Sequence, residues 1–261
     1  MYLKNLNTVN PYSDLLNTAQ RDLEASRVLH HTENYPAAVF YYQQAVEKAC
    51  KFWGLSTGLI TWEGIRRIGH NPDKVFRILF IKHISITEKD AESEYDKMFN
   101  DFCKDFSLEE RVKKVLGEIY NITDRPVIPI LPKQSPYDAV AAYFAKDPKA
   151  AMLHPSIVAD LEKFKHHPLR DNVAADFLID TENECKMPAC LMVLSLLVFA
   201  TEQNARYPDI AKGIKPEDLY NEDTLFVQQI PFLCDLLNHN LKILHTYHIE
   251  RYKKPRFAKS E

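Results

Sequence analysis

Apolar residues recur at steps of three and four along two stretches near the start of the chain, and each stretch predicts an amphipathic helix. In the first, Tyr12, Leu16, Ala19, Leu23 and Ser26 line one face of a helix expected over 14–31. Pro11 stands at its start, where a missing N–H costs little. In the second, Ala38, Tyr42, Ala45, Ala49 and Phe52 form the apolar stripe of a helix over 35–53, while Gln43, Gln44, Glu47, Lys48 and Lys51 fall on its other, polar side. The break at Glu33-Asn34-Tyr35-Pro36 is short, so the two helices are expected to pack as an antiparallel pair. Gly54 is expected to end the second helix, and Gly69-His70-Asn71-Pro72 to open a further one containing Val75, Phe76 and Leu79.

The middle of the chain has its own signals. Lys89 to Phe106 places Tyr95, Phe99, Phe102 and Phe106 at helical spacing, and Ser107-Leu108-Glu109-Glu110 is a capping box for a helix through Tyr120. Pro126, Pro129 and Pro132 exclude a helix interior around VIPILP. Ser135-Pro136-Tyr137-Asp138 starts another helix, and a weaker one is expected from Pro155 to Lys165. A helix over 188–206, starting at Pro188, is expected to form one bundle with 14–31, 35–53 and 233–249, and its run 189–200, apolar nearly all round, to make it the central helix. The fold class is therefore all-α, with three parts: 1–86 as the first part of a bundle, 87–185 as a mainly helical insertion with a Pro-rich linker, and 186–261 as the rest of the bundle with a basic tail. A tetratricopeptide array is excluded, because Tyr35 to Ala38 has its nearest echo at Tyr137 to Val140 and none at a period of about 34.

Composition narrows this further. Six glycines against 15 prolines, with no Asn-Gly or Asp-Gly, argue against a sheet-rich fold. The net charge of −3 gives the whole molecule no electrostatic reason to sit on nucleic acid or an anionic membrane, so any RNA contact must be local. The run 189–200 is shorter than the roughly 20 residues that span a bilayer, and the opening MYLKNLNTVNPYSD lacks the pattern of a signal peptide. Five cysteines without framework spacing favour reduced thiols and a cytoplasmic location.

The wording of the N-terminal helices resembles the HEPN superfamily. Ala19, Asp22, Leu23 and Ala25 fit A-x2-DL-x-A, the stretch from Tyr35 to Lys51 fits Y-x2-A-x-F-x2-QQAxEKxxK, and Gly69-His70 fits the turn that follows. Asn204 to Asp209 is similar to the ARYPD ending of a later helix, and 225–249 to the closing helix. The resemblance does not extend over the middle of the chain. It implies an up-and-down helical bundle, a nucleotide or RNA ligand, a homodimer, a setting in toxin-antitoxin or antiviral defence, and a nucleotidyltransferase as partner protein.

Several groups of residues could carry chemistry. RNases of the superfamily use Arg-x4-6-His, and Arg77 with His83 meets that spacing, but Ile78 and Leu79 replace the polar residue expected after the arginine. On one continuous helix the two would lie about 120 degrees apart. Arg170-Asp171-Asn172 has the polar start and no histidine within reach. Lys48, Lys51, Arg66, Arg67, His70 and Lys74 form a candidate phosphate site; the alternative is a solvated helix face with His70 capping a helix. Arg251, Lys253, Lys254 and Arg256, with aromatic neighbours, form a candidate RNA-binding tail. Cys234, His239, His245 and His248 lack the paired spacing of a zinc site, so no metal is expected. No Gly-rich phosphate loop, G-x-S-x-G or H-E-x-x-H occurs, and no cofactor is expected. Three functions follow: a binding module for nucleotide or nucleic acid that is not catalytic, a helical protein-interaction scaffold, and a metal-independent endoribonuclease using Arg77 and His83.

Overall fold

The computed structural model describes residues 11–79, 97, 107–147, 155–199 and 213–253, and among these the regular elements are ten helices with no strand. The expected helix from Lys89 to Phe106, the Asn204 to Asp209 fragment, His83 and the end of the basic tail lie outside the described residues. The helices are α1 (Pro11–His31), α2 (Tyr35–Ser56), α3 (Trp62–Ile68), α4 (Asp73–Leu79), α5 (Leu108–Asp124), α6 (Pro136–Lys146), α7 (Pro155–Phe164), α8 (Arg170–Phe199), α9 (Pro216–Leu219) and α10 (Leu225–Lys253). No described helix is long and apolar enough to cross a membrane. The chain divides into two compact units: Met1–Ile119 with Cys190–Glu261, and Tyr120–Ala189. The sequence pattern sets the insertion at 87–185.

The first unit is organised on α2. Leu16, Ala19, Leu23 and Ser26 of α1 are buried along the expected face, and the Ser26 hydroxyl donates to the Ala38 carbonyl across the hairpin at 2.8 Å. Tyr42 meets Phe226 of α10 edge to face, with ring centroids 6.2 Å apart. Trp53 stacks on Phe76 of α4 at 5.1 Å. Each such large apolar side chain, fully buried, contributes about 1.5–3 kcal/mol.

Among the described residues α2 packs on α1, α4, α9 and α10. In the 189–200 run, Leu191, Val193, Leu194, Leu196, Leu197 and Val198 are buried in the same unit, in keeping with its apolar pattern. One expectation changes here: 14 of the 22 residues of α2 are buried, including Gln43, Glu47 and Lys51 from the polar stripe. Charged residues tolerate this only when paired.

Helix ends follow local chemistry in most places. Ser107 and Glu110 make the reciprocal capping box, with the Ser107 N–H donating to Glu110 at 2.8 Å and the Glu110 N–H to the Ser107 hydroxyl at 3.3 Å. The Ser107 hydroxyl, donating to the same carboxylate at 2.8 Å, and then the Ser107 N–H hold the Glu110 carboxyl below the usual carboxylate range. Ser135 accepts from the Asp138 N–H at 3.2 Å and starts α6. Gly69 ends α3 with φ 62°, a left-handed conformation that glycine adopts at no steric cost.

Gly54 and Pro188 depart from expectation. Gly54 does not end α2, which runs on to Ser56. A Cβ there would stand 2.7 Å from Val75 Cγ1, so the missing side chain is what lets α4 lie against α2. Pro188 sits inside α8 instead of opening a helix. In the turn before it, Lys186 pairs with Glu182 of the same helix at 2.6 Å and is tied from outside by donating to the Thr123 carbonyl at 2.9 Å. That external tie offsets part of the roughly 3 kcal/mol that an interior proline costs.

Candidate functional site

The polar stripe of α2 is a connected network. Lys48 reaches back to α1 and pairs with Asp22 at 2.6 Å, with both side chains largely out of water. Its ammonium also donates to the Gln44 side-chain oxygen at 3.2 Å. One turn along, Lys51 pairs with Glu47 at 2.5 Å, at 10% and 8% side-chain exposure. The second oxygen of Glu47 faces His70 Nδ1 at 3.2 Å and receives Gln44 Nε2 at 3.5 Å. Asp22, Lys48, Gln44, Glu47, Lys51 and His70 thus run without a gap from α1, along α2, to the turn before α4.

The register of the hairpin and the docking of α4 create this arrangement. Asp22 meets Lys48 only because α1 and α2 are antiparallel with Ser26 opposite Ala38. His70 meets Glu47 because Gly54 and Val75 bring α4 close to α2, and the left-handed Gly69 turns the chain between them. Two carboxylates balance two ammonium groups, so the buried part of the network carries no net charge before His70 is counted.

The six candidate phosphate residues separate into two groups. Lys48 and Lys51 face carboxylates inside the network. His70 is at the edge, bound to Glu47 on one side and with 61% of its side chain exposed. Arg66 and Arg67, on the last turn of α3, are exposed, and Lys74, on the first turn of α4, is half-buried. None of these three has an ion-pair partner among the described residues. The cations available to an anion are therefore at the α3–α4 corner rather than on α2. With seven residues, α4 supplies little dipole of its own.

Arg77 is half-buried near the end of α4, beside the fully buried Val75 and Phe76. Its spacing partner His83 and the tail residues Lys254 and Arg256 lie outside the described residues; α10 carries the backbone as far as Lys253. Among the described residues no three His, Cys, Asp or Glu side chains gather as a metal set. Sequence reasoning did not give Asp22 and Glu47 a role in the site. Glu47 was detectable, since Glu four residues before Lys on one helix is a favourable pairing. Asp22 was not, because it lies 26 residues from Lys48 and only the hairpin brings them together.

These features define an all-helical module whose first hairpin is joined through a buried, charge-balanced seam to an exposed basic corner. The family model of the HEPN domain matches residues 12–106, a stretch that contains the whole seam and the corner. The comparisons with curated proteins and with solved structures gave no match.

Proposed function

We propose that the protein is a HEPN-type binding module for nucleotide or nucleic acid that does not itself cleave RNA. It acts in the cytoplasm as a homodimer, in a defence or toxin-antitoxin setting beside a nucleotidyltransferase partner. The observation that carries the binding part is the corner: Arg66 and Arg67 stand exposed beside His70 and Lys74 with no ion-pair partner among the described residues, whereas the lysines of α2 are already matched by carboxylates. A phosphate of a nucleotide or of a single-stranded RNA is the shared chemistry that such a corner recognises.

The test is a double substitution, Arg66→Ala with Arg67→Ala, in a titration with ATP and with a labelled single-stranded RNA. Affinity is expected to fall roughly tenfold or more. For RNA the slope of log K against log salt should drop by about 1.4, because each phosphate contact on a single strand contributes about 0.7. Both side chains are exposed, so unfolding should move by no more than about 0.5 kcal/mol per substitution. No measurable binding by the parent protein would overturn the reading in favour of a protein-interaction scaffold. That second reading has one observation of its own, the exposed Ile130, Leu131, Leu169 and Ile179 of the second unit.

The same preparation is expected to leave single-stranded RNA intact, and Arg77→Ala and His83→Ala to leave any cellular phenotype unchanged. Metal-independent cleavage lost in both variants would make the protein an endoribonuclease.

A further inference from the structure

The second unit contains an open cleft of about 410 Å³ between α6, α7 and α8, a volume that includes the solvent at its mouth. Its walls are Tyr137, Phe164, Phe177 and Val173, backed by the core cluster of Tyr137, Val140, Phe144 and Ala174. Two charged side chains, Asp160 and Arg170, complete the lining.

The two charges are differently held. The Arg170 guanidinium lies over the Tyr137 ring, 5.1 Å from its centroid, and donates one N–H to the Lys165 carbonyl at 3.3 Å. A guanidinium has five such donors, so most of its fork is available in a fixed orientation. Asp160 is exposed and pairs with no cation among the described residues, Arg170 included. The Tyr137 hydroxyl is already used, donating to the Leu161 carbonyl at 2.8 Å. The cleft therefore offers aromatic walls, one carboxylate acceptor and one forked donor, with no excess of positive charge.

We infer that this cleft takes an unpaired guanine base. A phosphate-first site would need more cations than carboxylates, and here they are equal. A flat base satisfies the aromatic walls by stacking, which is worth about 1–3 kcal/mol for any base. Guanine alone among the common bases places two adjacent donors, N1–H and the N2 amino group, on one edge for a carboxylate, with O6 and N7 on another edge as acceptors for an arginine fork. Adenine has one amino donor flanked by acceptors, and cytosine one amino donor beside a ring acceptor. The site lies outside residues 12–106 and stands on the cleft alone, independent of the Arg66–Arg67 corner. A free guanine nucleotide and an unpaired guanosine in RNA present the same base.

The experiment is calorimetric titration of the full chain with guanosine, adenosine and cytidine, repeated on three variants. Guanosine should bind saturably and at least tenfold tighter than the other two nucleosides. Asp160→Asn keeps one acceptor but replaces the other with a donor, and should remove that preference. Val173→Trp, at a position 39% exposed, should fill the cleft and abolish binding with the melting curve unchanged. Arg66→Ala with Arg67→Ala should bind guanosine as the parent does, which separates failure here from failure at the α3–α4 corner. Short RNAs of sequence UUGUUU and UUAUUU then assign the source: tighter binding of the first than of guanosine points to RNA, equal binding to the free nucleotide. Absence of guanosine binding, equal affinity for adenosine, or binding unaffected by both Asp160→Asn and Val173→Trp would overturn the proposal.

Discussion

Replacing Glu47 with alanine is expected to destabilise the first unit by roughly 3–5 kcal/mol, the usual cost of leaving one partner of a buried pair without the other. Lys51 would remain at 10% side-chain exposure with its ammonium unmatched, and His70 would lose the carboxylate that fixes its ring. The measurement is a urea midpoint, read with an unchanged slope so that the shift is one of stability. The diagnostic control is the double variant Glu47→Leu with Lys51→Met, which removes both charges and keeps the volume. It should recover most of the loss, because a buried pair replaced by well-packed apolar groups is commonly neutral or better. A loss below about 1 kcal/mol for Glu47→Ala would mean that water reaches the seam and that Lys51 does not depend on Glu47.

Gly54→Ala should also destabilise, against the local trend. In an exposed helix interior, alanine gains about 1 kcal/mol over glycine. Here the added methyl would stand 2.7 Å from Val75 Cγ1 and 3.0 Å from Ile60 Cδ1, and overpacking of that kind costs about 1–3 kcal/mol. The net effect is a loss, and Gly54→Val should lose more. Val75→Ala in the Gly54→Ala background makes room and should return part of the stability, a coupling that a double-mutant cycle reads directly. Since α4 carries the His70 turn, phosphate binding at the corner should weaken in the single variants and recover in the pair. A Gly54→Ala protein more stable than its parent would show that α4 does not rest on α2.

The same two residues explain how much of the fold could be read from the sequence. The α1–α2 hairpin was legible because Leu16, Ala19, Leu23 and the Ala38 to Phe52 series keep helical spacing between proline-marked starts. Ser107 with Glu110 and Ser135 with Asp138 were legible because a cap is local: donor and acceptor lie three residues apart. Gly54 and Pro188 were misread because a local rule was applied where a distant neighbour decides. Glycine reads as a terminator until Val75 is placed against it, and proline as a breaker until Lys186 is tied to Thr123. The site shows the same limit. Spacing put Lys48 and Lys51 on one face correctly, but whether that face meets water, phosphate or carboxylate depends on Asp22 and on the α3–α4 turn. The Arg170 cleft needed three helices, and its residues fit no short motif.

The cysteines read earlier as reduced thiols give the first unit internal reporters of its own opening. Cys50, Cys190 and Cys234 are buried in it, and burial pushes the Cys50 thiol well above its ordinary range and Cys234 up to about 11. Cys185, in the other unit, is exposed. A thiol reagent needs an accessible, ionised thiol; burial and the nearby Glu184 push the Cys185 thiol up as well, but it is exposed, so in the native protein it is labelled before the three core thiols, which wait for the bundle to open. The lag between the two rates measures the free energy of that opening at each of three positions around α2, with no probe added to the chain.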